Sequence, residues 1–337
     1  MSDKKLNIAV IGCSPMGKRH AQGVVEHAKL YAICDTASER LEEFRNEFEP
    51  PVVTSDYKEL LNDDKLDAVV IVTPDQLHKE MVCAFLKAGK HVMCEMPLAL
   101  NLEECEDMMR AEKESGKQLM VGQVCRCNPV FIKAKELIDE GKIGELVFVE
   151  SEYAHNYDDA KGYNNWRMVP ERNTVVGGGC HAIDLLRWIA GDPTEVFAYA
   201  NHKIMLDWPT DDTTIALYKF PNNVMGKVLV SNGAKRAYTM RSVFYGTKGT
   251  IIAQNHAGEV ILYEDAEGKN YHEPQVIAVP PKDHNAEDEI GAFVKALENG
   301  ERVPVTAMEG ASTVAVACAT VKSTETGDKE QIRYPQV

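Results

Sequence analysis

The order of apolar runs predicts an α/β protein of two domains. An N-terminal Rossmann-type, doubly wound parallel sheet is followed by a C-terminal α/β domain with a large, mostly antiparallel, open-faced sheet. Three observations carry this expectation. Over residues 1–122, short β-branched runs alternate with stretches that repeat apolar residues at helical spacing. From Glu145 onward, extended segments follow one another with only turns between them. The first apolar run also opens directly into a glycine-bearing turn. At 337 residues the chain exceeds the usual size of one core, so two domains are expected, with the boundary between residues 122 and 123, where the alternation ends.

In the first domain, Leu6–Gly12, Leu30–Cys34, Ala68–Thr73, His91–Glu95 and Leu119–Gly122 read as strands. Several are apolar on both faces, as strands of a parallel sheet covered by helices must be. The helices between them are Lys18–His27, Ser38–Phe48, Tyr57–Asn62, Leu77–Lys87 and Leu102–Ser115. A helix over Asn128–Glu140 opens the second domain, and the segment Glu145–Tyr153 starts its sheet. Strands are then expected at Glu195–Lys203, Thr213–Phe220, Val224–Ser231, Ser242–Tyr245, Thr250–Gln254 and Glu259–Tyr263. Helices at Gly179–Ala190, Ala286–Glu298 and Gly310–Thr326 are expected to cover one face of that sheet, leaving the other as a surface for a homo-oligomer.

The formal net charge of −15 argues against nucleic acid or an anionic membrane surface as a partner, because phosphates would be repelled. The longest apolar run, Ala68–Val72, is too short to cross a bilayer, and the amino-terminal residues lack the apolar region of a secretory signal. Nine cysteines, an odd number and mostly within apolar segments, read as reduced core thiols of a cytoplasmic protein. Cys125-Arg126-Cys127 is the one close pair, with no second pair to complete a zinc site, so no metal is expected.

The turn after the first strand is Gly12-Cys13-Ser14-Pro15-Met16-Gly17. Gly12 permits the tight bend, Gly17 allows close helix–sheet packing, and the amides at the helix start suit a pyrophosphate. Ser14 stands where the middle glycine would be, supplying a hydroxyl and narrowing the approach. Asp35 ends the second strand, where a carboxylate would accept both ribose hydroxyls and repel a 2′-phosphate. NAD is therefore the expected cofactor.

Beyond this point the chain resembles the Gfo/Idh/MocA oxidoreductase family. The resemblance rests on Gly12–Gly17 with Arg19-His20-Ala21, on Val72-Thr73-Pro74 with His78, and on Glu95-Met96-Pro97. It continues through Gly122 to Arg126, Asn128-Pro129 and Trp166-Arg167, then Gly177-Gly178-Gly179-Cys180-His181-Ala182-Ile183-Asp184, and ends at Tyr245-Gly246-Thr247-Lys248-Gly249. The resemblance implies hydride transfer between a nicotinamide and a hydroxyl-bearing carbon of a sugar or cyclitol. It also places Thr73, Pro74, His78, Glu95 and Gln123 beside the cofactor. In the family a lysine within Glu-Lys-Pro takes the hydroxyl proton, aided by an Asp and a His four residues apart. Here the lysine position is Met96, which carries no proton, and alignment on His181 puts Gly177 in place of the aspartate. The Met96–Pro97 bond is expected to be cis, aiming residue 96 into the site.

The remaining candidates each carry two readings. His181 is the proton-transfer group, or a helix-end histidine bonded to backbone. Asp184 orients it or contacts substrate, or is purely structural. The loop from Tyr153 to Arg167 offers Tyr153, His155, Tyr157, Lys161, Tyr163, Trp166 and Arg167, a mixture suited to the apolar faces and hydroxyl belt of a pyranose. Lys161 or His155 could stand in for the absent lysine, and Arg126 reaches substrate or braces the domain seam. Met96 is an apolar wall, or the mark of lost chemistry. Three functions follow: oxidation of a secondary hydroxyl at a position such as glycoside C3, a transient oxidation that cleaves a glycoside, or a non-catalytic NAD-binding partner subunit.

Overall fold

The computed structural model describes residues 5–157, 161–265, 273–282 and 285–336, with Tyr163 described by its backbone alone. Part of the expected aromatic loop, residues 158–160, and the residues read for a secretory signal, 1–4, lie outside the described residues.

Two compact units make up the chain. One extends to Gln123 and takes in Asn285–Ala311; the other starts at Val124 and takes in Ser312–Tyr334. In the first, six strands pair in parallel: β1 (Asn7–Ile11), β2 (Lys29–Cys34), β3 (Val52–Thr54), β4 (Ala68–Ile71), β5 (His91–Glu95) and β6 (Leu119–Gly122). Their order is β3-β2-β1-β4-β5-β6, the doubly wound arrangement. β3 is three residues long, too short for its alternation to stand out in sequence. Four helices, α1 (Pro15–His27), α2 (Ser38–Phe48), α3 (His78–Lys87) and α4 (Leu102–Ser115), connect the strands, and Tyr57–Leu60 is a 3-10 turn rather than the expected helix.

In the second unit, helix α5 (Pro129–Asp139) precedes strand β7 (Leu146–Ala154), and α6 (Cys180–Ala190) follows it. Then come β8 (Glu195–Asn201), β9 (Thr213–Lys219), β10 (Met225–Ser231), β11 (Thr239–Gly246), β12 (Gly249–Gln254), β13 (Glu259–Glu264) and β14 (Gln275–Ala278). After helices α7 (Ala286–Asn299) and α8 (Ala307–Thr326), the short β15 (Glu330–Gln331) completes a nine-stranded sheet ordered β14-β13-β12-β11-β7-β10-β9-β8-β15. Every pair is antiparallel except β10 with β7.

One expectation is corrected here. α7 does not cover the second sheet. Its Ile290, Phe293 and Val294 pack into the first core with Ile8, Val10 and Val24. Gly23 of α1 makes room, since a Cβ there would stand 3.1 Å from Glu287 Cα. The amphipathic pattern of α7 marks which face is buried, and says nothing about which sheet buries it. Segment 303–306 continues the return, with Val121 donating to the carbonyl of Val305 at 3.0 Å. Truncating the fully buried Phe293 to Ala should therefore lower the unfolding free energy by about 3–5 kcal/mol in urea titrations. A loss under about 1 kcal/mol would remove α7 from this core.

Candidate functional site

The cofactor turn sits at the carboxyl end of β1. Gly12 has φ +108°, and a Cβ there would stand 2.5 Å from the carbonyl oxygen of Val72. A Cβ on Gly17 would stand 1.9 Å from the carbonyl oxygen of Gly12. Both positions thus require glycine, and the backbone folds back on itself. Ser14 caps α1, its Oγ accepting from the Gly17 amide at 3.1 Å, with Pro15 at the first helical position. The amides of Ser14 and Met16 take no partner among the described residues, and they lie where helix-start donors meet phosphate. Asp35 ties the turn to β2: its Oδ2 accepts from the Cys13 amide at 2.7 Å and its Oδ1 from the Ala37 amide at 2.8 Å. Burial and the Asp35 carboxylate push the Cys13 thiol up to about 12, so it stays protonated and inert. These residues fit NAD: a close-packed glycine cradle, free helix-start amides and a carboxylate at the second strand end.

Other expected cofactor residues take supporting places. His78 is fully buried, its Nδ1 3.0 Å from the Pro97 carbonyl and its Nε2 3.0 Å from the Thr73 carbonyl. It braces the turn at Thr73-Pro74 against the Met96–Pro97 segment, the structural place beside the cofactor turn that its position after Thr73-Pro74 suggested. The Met96–Pro97 bond is cis, as expected, and Met96 is buried. Gln123 is buried as well.

Glu95 belongs to a cluster with no counterpart in the sequence reading. Its Oε1 lies 2.5 Å from His20 Nε2, and its Oε2 accepts from the Met96 amide at 3.1 Å. Glu289 of α7 joins them, each residue offering a ligand atom within 4.8 Å of the others. Glu289 is 1% exposed and neither carboxyl oxygen finds a hydrogen-bond partner among the described residues. Burial, and then repulsion from Glu95, holds its carboxyl well above the usual range.

In the second unit His181 is the second residue of α6, directly after a π-helical turn over Val175–Gly179. Its ring stacks on Tyr153, centroids 5.3 Å apart and planes 7° apart. His155 stacks on Tyr153 at 6.2 Å, and Tyr238 meets it edge-on at 5.6 Å. The Tyr153 and Tyr157 hydroxyls are 2.8 Å apart. The glycine run explains the close fit: a Cβ on Gly178 would stand 2.8 Å from Tyr153 Cε1, and one on Gly179 2.6 Å from Val230 Cγ2. At Gly177 a Cβ would stand 2.4 Å from the Arg172 guanidinium carbon, and that guanidinium donates to the Gly177 carbonyl at 2.7 Å. An arginine thus fills the space next to Gly177, where the resemblance implied an aspartate.

Pairing within the fold engages three of the expected residues. Asp184 does not meet His181: it is fully buried, accepts two bonds from Arg126 at 2.8 and 3.0 Å, and accepts a third from Thr313 at 3.2 Å. Two of the Arg126 guanidinium nitrogens are engaged in that pair. Lys161 pairs with Asp207 in an exposed contact. Trp166 is covered by two guanidinium groups, Arg167 at 4.3 Å and Arg172 at 4.8 Å from its centroid. Sequence reading missed Tyr238, Arg172, Trp208 and Asn232. Tyr238 lies in a polar stretch between strands, and Asn232 in Ser231-Asn232-Gly233, which reads as a turn.

The first unit is thus a nucleotide-binding Rossmann domain, and the protein is an oxidoreductase of the class built on one. Residues 6–123 match the oxidoreductase family with an NAD-binding Rossmann fold, and residues 131–252 match the GFO/IDH/MocA C-terminal domain. The chain belongs to the GFO/IDH/MocA family. Inositol 2-dehydrogenase 2 of Saccharopolyspora erythraea is 31% identical over 329 residues, covering 96% of this chain and 94% of that protein. Myo-inositol 2-dehydrogenase of Thermotoga maritima is 27% identical over 345 residues, covering 98% and 99%. Levoglucosan dehydrogenase in complex with NADH and L-sorbose shares the fold, with a TM-score of 0.90 at 24% identity over 99% of this chain and 100% of that one. Among the described residues, no helix is long and apolar enough to cross a membrane.

The Glu289 carboxyl gives a stability signature. Its raised value means that it contributes fully below the unfolded value of about 4.3, and that contribution is lost as pH rises through the folded value. Glu289→Gln should therefore gain on the wild type as pH rises above the unfolded value, by up to about 1.4 kcal/mol per pH unit until the folded value is passed, in melting curves recorded across pH. A constant difference would mean that the carboxyl is ionised throughout.

Proposed function

We propose that the protein oxidises a secondary hydroxyl of a sugar, glycoside or cyclitol, His181 receiving the hydroxyl proton. The observation that carries this reading is His181 at the start of α6, stacked on Tyr153, whose ring also meets His155 and Tyr238, with Tyr157 edge-on to His155. Of the three proton-handling groups implied by the resemblance, it alone is kept. Imidazole changes charge near neutral pH, which suits it to take the proton and return it in the reverse direction. Tyr153, its phenol held protonated by burial and by Tyr157, keeps the imidazole plane fixed. The aromatic faces suit the C–H faces of a ring, and the hydroxyl and amide groups between them suit its hydroxyls. Met96, a thioether, takes no proton. Gly12, Gly17, the amides of Ser14 and Met16, and Asp35 hold NAD, which when bound supplies a hydride acceptor. The names of the inositol and levoglucosan dehydrogenases among its relatives support a polyhydroxylated ring as substrate.

His181→Ala should lower single-turnover nicotinamide reduction at least about 100-fold across a panel of pyranosides and cyclitols, with NAD binding unchanged. An unchanged rate would remove His181 from the reaction. Tight NAD binding without reduction by any ring would favour a partner subunit, for which the apolar Met96 speaks. Aglycone release without net reduction would instead reveal a transient oxidation.

The partner of the open sheet face is a second copy of this chain. On β9 the side chains alternate, with Ala216 and Tyr218 buried and Ile215 and Leu217 exposed. Tyr199, opposite Ile215, and Phe197, opposite Leu217, extend this apolar face across β8. A contiguous apolar patch of this kind on an otherwise hydrogen-bonded sheet marks an association surface. Leu217→Glu should shift the protein to a smaller species in light scattering while its circular dichroism stays the same. An unchanged mass would place the contact elsewhere.

A further inference from the structure

Asn232 directly follows β10, and its backbone is held at both ends. Its amide donates to the Asp212 carbonyl at 3.0 Å, and its carbonyl accepts from the Tyr157 amide at 2.8 Å. Asp212 is itself a fixed point, one carboxyl oxygen accepting from the amides of Lys203, Ile204 and Met205 at 2.6–3.0 Å. The Asn232 side chain is 1% exposed, yet neither its Oδ1 nor its Nδ2 has a hydrogen-bond partner among the described residues. It lies against the glycine run that leads into His181: the Cβ position of Gly178 is 3.1 Å from Asn232 Oδ1 and 2.8 Å from Tyr153 Cε1. A second buried donor, the indole Nε1 of Trp208, also lacks a partner, and its ring packs 5.8 Å from that of Tyr157.

A buried amide with both ends unpaired is costly, and a leucine would fill the same space without that cost. The rigid backbone denies the side chain an escape to solvent, so its two ends await a partner that both donates and accepts. Two hydroxyls on adjacent ring carbons meet this need, one donating to Oδ1 and the other accepting from Nδ2. Buried water is the other source of the same chemistry.

We propose that Asn232 is a specificity-determining residue that recognises two adjacent hydroxyls of the substrate ring. The inference rests on the polyol reading above and narrows it to rings bearing a vicinal diol. A site built to hydrogen-bond a hydroxyl discriminates strongly against the analogue that lacks it, because its own polar groups are then left unpaired.

The test uses the full-length protein with NAD, Asn232→Ala and Asn232→Leu, and the polyol that the wild type turns over together with its monodeoxy analogues. Removing either recognised hydroxyl should lower wild-type kcat/KM by about 100-fold or more. Each variant should lose a similar factor on the parent polyol and then become indifferent to those two hydroxyls, while staying sensitive to the others. If the variants keep the wild-type pattern of deoxy sensitivity, the amide holds water or serves the fold, and the inference fails. Asn232→Leu guards against misfolding, since a purely structural orphan amide would make that variant more stable with unchanged kinetics. Where no polyol is turned over, the shift in Tm of the NAD-bound protein with the same compounds provides the comparison. No shift with any of them removes the polyol reading and this inference together, whereas a shift with unchanged deoxy sensitivity removes only the inference.

Discussion

A single buried carboxylate organises the second unit. Asp184 has no contact with water, so its charge must be met inside the protein, and Arg126 and Thr313 meet it. Arg126 lies on the 3-10 turn Val124–Cys127, Asp184 on α6 and Thr313 on α8. Three segments distant in sequence are thus pinned to one point, and removing either charge would leave the other stranded in a medium that cannot solvate it. Arg187, one turn further along α6, extends the network to Thr313 and Asp192. His181 stands one turn before Asp184 on the same helix, so its position is set by a contact it does not itself make.

The glycine run supplies the second constraint. Gly177, Gly178 and Gly179 each pack so closely that a methyl group would collide, in turn, with Arg172, Tyr153 and Val230. The π-helical turn they form brings backbone rather than side chains against the aromatic wall, and it leaves the ring of Tyr153 for His181 to stack upon. The absence of an aspartate at Gly177 is therefore a packing fact: an arginine occupies the space.

The fold was largely legible in the sequence because its signals are local. The alternation of β-branched runs with amphipathic stretches, the Gly12–Gly17 turn and the consecutive strands after Glu145 are each read within a dozen residues. What escaped depends on partners far along the chain. α7 shows its apolar face in sequence, and only the folded chain shows that the face meets α1. Asp184 at three residues from His181 suggested a working pair, and a guanidinium 58 residues away claimed it instead. Asn232 escaped because a turn sequence and a buried amide share the same letters. Gly12, Gly17 and Asp35 take the turn and strand-end places expected of them because backbone geometry there leaves few alternatives.

The return of α7 to the first unit bears on how the chain is made. A ribosome releases residues in order, so when Gln123 has emerged the six parallel strands are complete but the surface of α1 that receives Ile290, Phe293 and Val294 is still bare. More than 160 further residues must be synthesised before the segment that covers it arrives. The nascent nucleotide-binding sheet therefore waits with an oily flank exposed while another unit is built, an interval in which a holdase chaperone would find its natural footing.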